Sequence, residues 1–179
     1  MGRTYPAIDE RWRDFIAAQH CFFVATAPRD GQYVNVSPKG LDGTFAVLDE
    51  ARVAYLDLNG SGIETVAHLR ENGRVTLMFC AFDGPPKILR LYGTGRVVRP
   101  EDDGFAELLG RFAPREHVRS VIVVDVDRIQ DACGYGVPLM DYRTDRDQLD
   151  RFAAGKGRDG LAEYRADRNA LSLDGLPGW

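Results

Sequence analysis

Three short stretches of this chain carry residue types suited to gripping an anion. The first is Tyr55-Leu56-Asp57-Leu58-Asn59-Gly60-Ser61-Gly62-Ile63-Glu64-Thr65, which reads as a strand, a polar turn and the start of a helix. A helix N-terminus presents unpaired N–H groups and about half a positive charge, so phosphate binds there readily. Gly60 and Gly62 remove side chains that block close approach, and Ser61 adds a hydroxyl. The second stretch is Asn35-Val36-Ser37-Pro38-Lys39-Gly40. Strand alternation puts Asn35 and Ser37 on one face, with Lys39 just past the strand end. The third is a strand carrying Lys87, Arg90 and Arg96, and arginine is well shaped for bidentate phosphate contacts. Charge-assisted hydrogen bonds contribute about 1.5–3 kcal/mol each, so two or three hold a phosphate firmly. We expect the three stretches to converge on one anionic ligand. Plainer roles stand beside this: Ser61 with Glu64 forms a capping box, Lys39 is a loop lysine, and Arg90 makes a surface ion pair of about 0–1 kcal/mol.

Other chemistries find less support. Gly93-Thr94-Gly95 begins like a dinucleotide fingerprint, but the third glycine and the surrounding βαβ unit are missing. There is no phosphate-binding G-x-x-x-x-G-K-[ST] loop, and neither Ser37 nor Ser61 has a histidine nearby in sequence. His20, His68 and His117 are scattered, as are Cys21, Cys80 and Cys133, so no metal site is expected. Without an obvious nucleophile or base, no catalytic residue is assigned. That pattern suits an enzyme whose cofactor carries the hard chemistry.

A chain of 179 residues, 44% hydrophobic, is long enough for one domain with a proper core. The net charge of -4 argues against a general nucleic-acid binder. No apolar run approaches the ~20 residues that span a bilayer, so no membrane association is expected. Asp9, Glu10 and Asp14 replace any apolar signal core, and the unpaired cysteines fit a reducing compartment, so a cytoplasmic location is expected.

The elements that must position these residues follow from periodicity. A helix is predicted over residues 8–20, with Ile8, Trp12, Phe15, Ile16 and Gln19 near one face. Strands are predicted at 21–27, 32–37, 44–48, 52–58, 74–82, 87–98 and 119–129, with Pro38 ending the second. Ser61 caps a helix that ends at Asn72-Gly73, and Pro100 to Asp103 opens another with Phe105, Leu108, Leu109 and Phe112 buried. The strand at 74–82 is apolar on both faces and needs cover from a helix or a partner subunit. Gly93 and Gly95 inside a strand signal a bulge or a close backbone approach. Together these make one antiparallel barrel of about six strands with helical excursions. From residue 130 a glycine-rich loop and two charged helical segments, near 143–154 and 158–169, form an extension that packs on the barrel of residues 1–129 or across a dimer.

The order of these pieces, with Asn72-Gly73-Arg74-Val75-Thr76-Leu77-Met78-Phe79 followed by Leu89-Arg90-Leu91-Tyr92-Gly93-Thr94-Gly95, resembles the pyridoxamine 5'-phosphate oxidase-related family over residues 15–127. The resemblance implies a mainly β fold, a six-stranded antiparallel split β-barrel with flanking helices and a C-terminal helical extension. It implies a homodimer with flavin mononucleotide (FMN) in the cleft between subunits. Cofactor contacts then fall on Asn35, Ser37, Pro38, Lys39 and Gly40, on Asp57, Asn59, Ser61, Gly62 and Thr65, and on Lys87 and Arg90 of the same or the opposite subunit. The expected activity is that of an FMN-dependent oxidoreductase acting on a small molecule. Two departures argue against true vitamin B6 oxidation. Val34 stands where those enzymes carry the arginine of R-x-x-x-x-K, and the segment Leu173 to Trp179 has Asp174 but no arginine. The family also holds haem-utilising and deazaflavin-using members. The alternatives are therefore a non-catalytic flavin- or haem-binding storage or sensor protein, or a deazaflavin-dependent reductase.

Overall fold

The computed structural model describes residues 2–179. Eight strands form one antiparallel sheet: β1 (Thr4–Tyr5), β2 (Cys21–Thr26), β3 (Asn35–Gly40), β4 (Phe45–Val47), β5 (Arg52–Leu58), β6 (Arg74–Cys80), β7 (Ile88–Val98) and β8 (Val118–Ala132). Their order is β3-β2-β6-β7-β8-β5-β4, with β1 added on β8. Consecutive strands β3 and β4 thus lie at opposite edges, yet residues 41–44 alone join them. A chain spans at most about 3.3–3.6 Å per residue, so the two edges must come close and the sheet must curl. Phe45 of β4 meets Phe22 of β2 and Phe79 of β6 with ring centroids 4.9 and 5.1 Å apart. The result is a mainly β split barrel closed by side chains between its edge strands rather than by a hydrogen-bond ladder. Among the described residues it has eight strands where a barrel of about six was expected: the seven predicted segments all form strands, and the two-residue β1 is too short to show a period.

The barrel interior is one apolar cluster built from Phe22, Val24, Val53, Tyr55, Val75, Leu77, Phe79, Leu89, Leu91, Ile122 and Val124. Helix α1 (Glu10–Ala17) adds Trp12 and Ile16 to it, and Asp9 caps that helix by accepting from the Trp12 amide at 3.0 Å. Helix α2 (Glu64–Asn72) adds Val66 and Leu69, with Ile63 just before it. Five consecutive α2 residues, Thr65 to Leu69, are buried, so this helix is covered on both sides. The sheet lies beneath it and the C-terminal tail above: Gly178 sits against Ile63, and its carbonyl accepts from Arg70 at 2.6 Å. A second cluster on the outer face joins Ala54, Leu56, Val98, Val121 and Val123 to Phe112 and to the half-buried Phe105, Leu108 and Leu109 of the short helix α3 (Phe105–Leu109). Helix α4 (Gln148–Arg168) is broken at Gly157, where φ is 64°.

Several boundaries differ from the sequence reading, each for a physical reason. Pro38 does not end its strand. It lies inside β3 opposite Phe23, and β3 is an edge, so its missing N–H faces no partner strand. Lys39 is therefore a strand residue, opposite Phe22. β8 runs on through Asp131 and Ala132 into the predicted loop, because β7 pairs with it to the end and β1 pairs at Gln130. The capping box does not form: α2 starts at Glu64, its flanking residue is Ile63, and the Glu64 carboxylate accepts from the Ile63 amide at 3.0 Å. No helix among the described residues is long and apolar enough to cross a membrane.

Candidate functional site

The inner face of edge strand β3 carries a polar row. Lys39, Ser37 and Asn35 stand opposite Phe22, Val24 and Thr26, and opposed residues in an antiparallel pair share a face. The Asn35 side-chain amide donates to Thr65 Oγ1 at 3.1 Å, to Thr26 Oγ1 at 3.2 Å and, more loosely, to Ser37 Oγ at 3.5 Å. Thr26 Oγ1 in turn lies 2.9 Å from Nδ1 of the fully buried His68. The row thus meets the first turns of α2, which explains why the polar residues Thr26, Thr65 and His68 are tolerated inside a barrel. Burial holds the His68 imidazole below its ordinary value, although Asp174, Glu64 and Glu71 pull the other way. Its Nε2 has no hydrogen-bond partner among the described residues.

Lys39 is half-buried, and no ion pair or hydrogen bond among the described residues engages its ammonium. Burial lowers its pKa, partly offset by the nearby charges of Asp57 and Glu64 and reinforced by Arg119. A partly desolvated lysine on the same strand face as a hydroxyl and an amide has the chemistry to take an anionic oxygen.

The turn after β5 is arranged differently from the ligand-facing one expected. Asp57 and Asn59 are almost fully buried and held by arginines. Arg119 donates to both Asp57 carboxylate oxygens at 2.7 and 3.0 Å, and Ser120 Oγ adds a third bond at 3.0 Å. A β-bulge makes this possible. Asp57 pairs with Ser120 and Leu58 with Val118, which leaves Arg119 without an opposite residue. Alternation alone would send Arg119 outward with Val121; the bulge re-aims it to the inner face. Its remaining N–H groups donate to Asn169 Oδ1 at 2.8 Å, Gly62 O at 3.1 Å and Gly60 O at 3.3 Å. The Asn169 amide donates to Gly60 O and Ser61 O. Asn59 accepts from Arg165 at 2.9 Å and donates to the His117 carbonyl. Burial pushes the Asp57 carboxyl up, but Arg119, Lys39 and Ser120 outweigh it and hold the group below its usual value. So the carbonyls of residues 60–62 are anchored by the core and by the C-terminal segment. Ser61 and Gly62 remain exposed at the rim beside α2.

Of the twelve expected contact residues, Asn35, Ser37 and Thr65 come together, Lys39 follows on the same face of β3 with Gly40 next in line, and Ser61 and Gly62 lie just before α2. Pro38 points to the outer face, opposite Phe23. Arg90 lies on that outer face too, opposite Met78, and Lys87 reaches Asp131 at 3.4 Å. Within one chain, then, neither residue converges with Lys39: the sheet separates it from Arg90, and Lys87 is taken up by Asp131. Thr26, His68 and Arg119 were not picked out from sequence. A polar Thr26 in the inward register of Phe22 and Val24, and His68 one turn after Thr65, were legible signals. The inward turn of Arg119 depends on a bulge that its apolar strand conceals.

The outer face of β2, β6 and β7 presents Phe23, Ala25, Met78, Ile88 and Tyr92, all half-buried, and no helix among the described residues packs on it. Val34, Val36 and Tyr33 extend it, exposed by 72%, 61% and 53%.

Comparison with known proteins agrees with this architecture. The family model for pyridoxamine 5'-phosphate oxidase matches residues 8–133. The pyridoxamine 5'-phosphate oxidase family protein ustO of Aspergillus flavus is 44% identical over 194 residues, spanning 99% of this chain and 78% of that protein. The chain belongs to the pyridoxamine 5'-phosphate oxidase family. Solved structures share the fold at lower identity. HupZ of Group A Streptococcus superposes with a TM-score of 0.52 at 23% identity, over 68% of this chain and 91% of that one. A FAD-binding protein of Mesorhizobium loti gives 0.52 at 16% identity, over 73% and 95%. A FMN-binding protein of Syntrophomonas wolfei gives 0.51 at 17%, over 67% and 82%.

Proposed function

We propose that this family member is an FMN-dependent oxidoreductase acting on a small molecule, and that it works as a homodimer. The observation that carries the reading is Lys39, a half-buried ammonium without an ion-pair partner among the described residues, on the same inner face of β3 as the Asn35–Ser37–Thr65 cluster that meets the start of α2. Those groups fit a phosphate. Lys39 supplies a charge, Ser37 and Thr65 supply hydroxyl donors, and Asn35 fixes both hydroxyls by donating to their oxygens. The helix end adds a favourable field.

When bound, the flavin supplies hydride or electron transfer; the chain supplies grip, orientation and shelter from water. Arg119 and Asn169 tie down the carbonyls of residues 60–62 and so keep the rim of the seat rigid. The apolar outer face supports the homodimer, because an uncovered half-buried strand face of this kind marks an interaction surface. Arg90 stands on that face, so in the dimer it serves the cofactor held by the other subunit, while Lys87 is engaged by Asp131 within its own chain.

The test is an absorption spectrum of the purified protein after incubation with FMN and desalting, followed by reduction with a nicotinamide cofactor and an acceptor screen. A retained flavin spectrum with turnover supports the reading. A retained spectrum without turnover leaves a flavin carrier, a haem band changes the cofactor, and uptake of deazaflavin alone changes the electron donor class. Sedimentation velocity tests the dimer, which Val36→Glu and Met78→Glu together should split.

A further inference from the structure

We propose that Glu64 is the specificity-determining residue of the phosphate seat: it stands at the helix end that a ligand phosphate must share, and its charge limits the preference for a phosphorylated ligand. This rests on the flavin-phosphate reading above. Glu64 opens α2, and its Oε2 accepts from the Ile63 amide at 3.0 Å. A Cβ at position 62 would lie 2.9 Å from that same oxygen, so Gly62 makes room for the carboxylate of Glu64. The two glycines of the turn therefore do not have one common purpose. Gly60 meets nothing within 4 Å, whereas Gly62 accommodates an internal anion.

Two acids act on Lys39, and they are not equivalent. Asp57 is neutralised by a bidentate pair with Arg119. Glu64 has no ion-pair partner among the described residues, yet it influences Lys39, Arg119 and His68. The carboxylate of Glu64 stands at this helix end, and Lys39, on the strand face that meets it through Asn35 and Thr65, is close enough for the two charges to act on each other. Thr65, whose hydroxyl Asn35 engages at 3.1 Å, is the next residue. A phosphate arriving there gains from Lys39 and the helix field and loses from Glu64. A ligand with the same ring system and no phosphate feels neither effect.

The experiment compares FMN and riboflavin on the full chain by fluorescence titration, for wild type, Glu64→Gln and Lys39→Ala. Glutamine keeps an oxygen for the Ile63 amide and removes only the charge. The expected result is that Glu64→Gln tightens FMN by about ten-fold, the scale of one partly screened charge repulsion, and changes riboflavin by less than about two-fold. Glu64→Ala should shift FMN in the same direction, and it replaces the glutamine variant if that one misfolds. FMN affinity that is unchanged or weaker in both variants overturns the inference, as does an equal gain for both ligands. If FMN is preferred over riboflavin and Lys39→Ala abolishes the preference while Glu64→Gln leaves it alone, this inference falls and the flavin reading stands. If wild type and every variant bind both ligands equally, or bind neither, the two fall together.

Discussion

Replacing Arg119 by methionine should be the most damaging single change of a charged residue in this fold. Methionine keeps the length and apolar stem of the side chain and deletes the guanidinium. That removes two bonds to Asp57, at 2.7 and 3.0 Å, one to Asn169 at 2.8 Å and two to backbone carbonyls. Asp57 is 1% exposed, so its carboxylate stays buried with Ser120 as its remaining hydrogen-bond partner. Breaking a buried pair by removing one partner costs about 3–5 kcal/mol, mostly through the uncompensated charge. Domains of this kind have about 5–15 kcal/mol in all, so the loss is readily measured by urea denaturation.

The charge argument makes two sharper statements. Adding Asp57→Asn to Arg119→Met should recover about 1–2 kcal/mol relative to the single variant, because the stranded charge is gone. The pH dependence should also change sign. In the wild type the folded pKa of Asp57 lies below the ordinary 3.8, so its contribution is complete above that value and is lost as pH falls through the folded pKa. In Arg119→Met, burial is opposed only by Lys39 and the Ser120 hydroxyl, and the folded pKa should rise above the ordinary value. Stability then rises as pH falls from that raised value toward the unfolded one, and the gap to wild type narrows. An Arg119→Met loss under about 1 kcal/mol, or a double variant as costly as the two singles added, would refute the reasoning.

Gly93→Ala should destabilise by about 1–3 kcal/mol, read as a fall in melting temperature, because a Cβ there would lie 2.0 Å from the Asp125 carbonyl oxygen. Asp174→Ala should leave the barrel intact and loosen residues 31–33, whose Gln32 amide donates to Asp174 at 2.9 Å; limited proteolysis should cut this loop first. FMN affinity should fall as pH rises through a value below lysine's ordinary 10.5, since the ligand phosphate favours the protonated Lys39 and burial lowers its pKa. Lys39→Arg should flatten that profile, whereas an unchanged slope in the variant would assign the titration elsewhere.

Much of the fold could be read from local pattern. The alternation of Val75, Leu77 and Phe79 against Thr76, Met78 and Cys80 marks β6, and the curled sheet follows from antiparallel strands joined by short turns. Gly93 signalled a close approach, and it sits at the register shift of β7 against β8. What failed depended on partners far away in sequence. Ser61 and Glu64 have capping-box spacing, but Asn169, 108 residues from Ser61, holds the Ser61 carbonyl, and the helix starts later. Asp57 reads as a polar strand end, yet a bulge 62 residues on turns Arg119 inward to take it. Asn35, Ser37 and Thr65 were legible as polar residues at strand and helix ends, while the wall between Lys39 and Arg90 required the register of β3, β2, β6 and β7.

The measurement that bears most directly on the central claim is FMN retention by wild type and Lys39→Ala after desalting, read in the visible flavin bands with folding checked by circular dichroism. The account predicts that wild type keeps the flavin and that folded Lys39→Ala loses at least about ten-fold in affinity, the scale of one charge-assisted phosphate contact. A wild-type protein that stays colourless, or a Lys39→Ala protein that holds FMN as tightly as wild type, would contradict it.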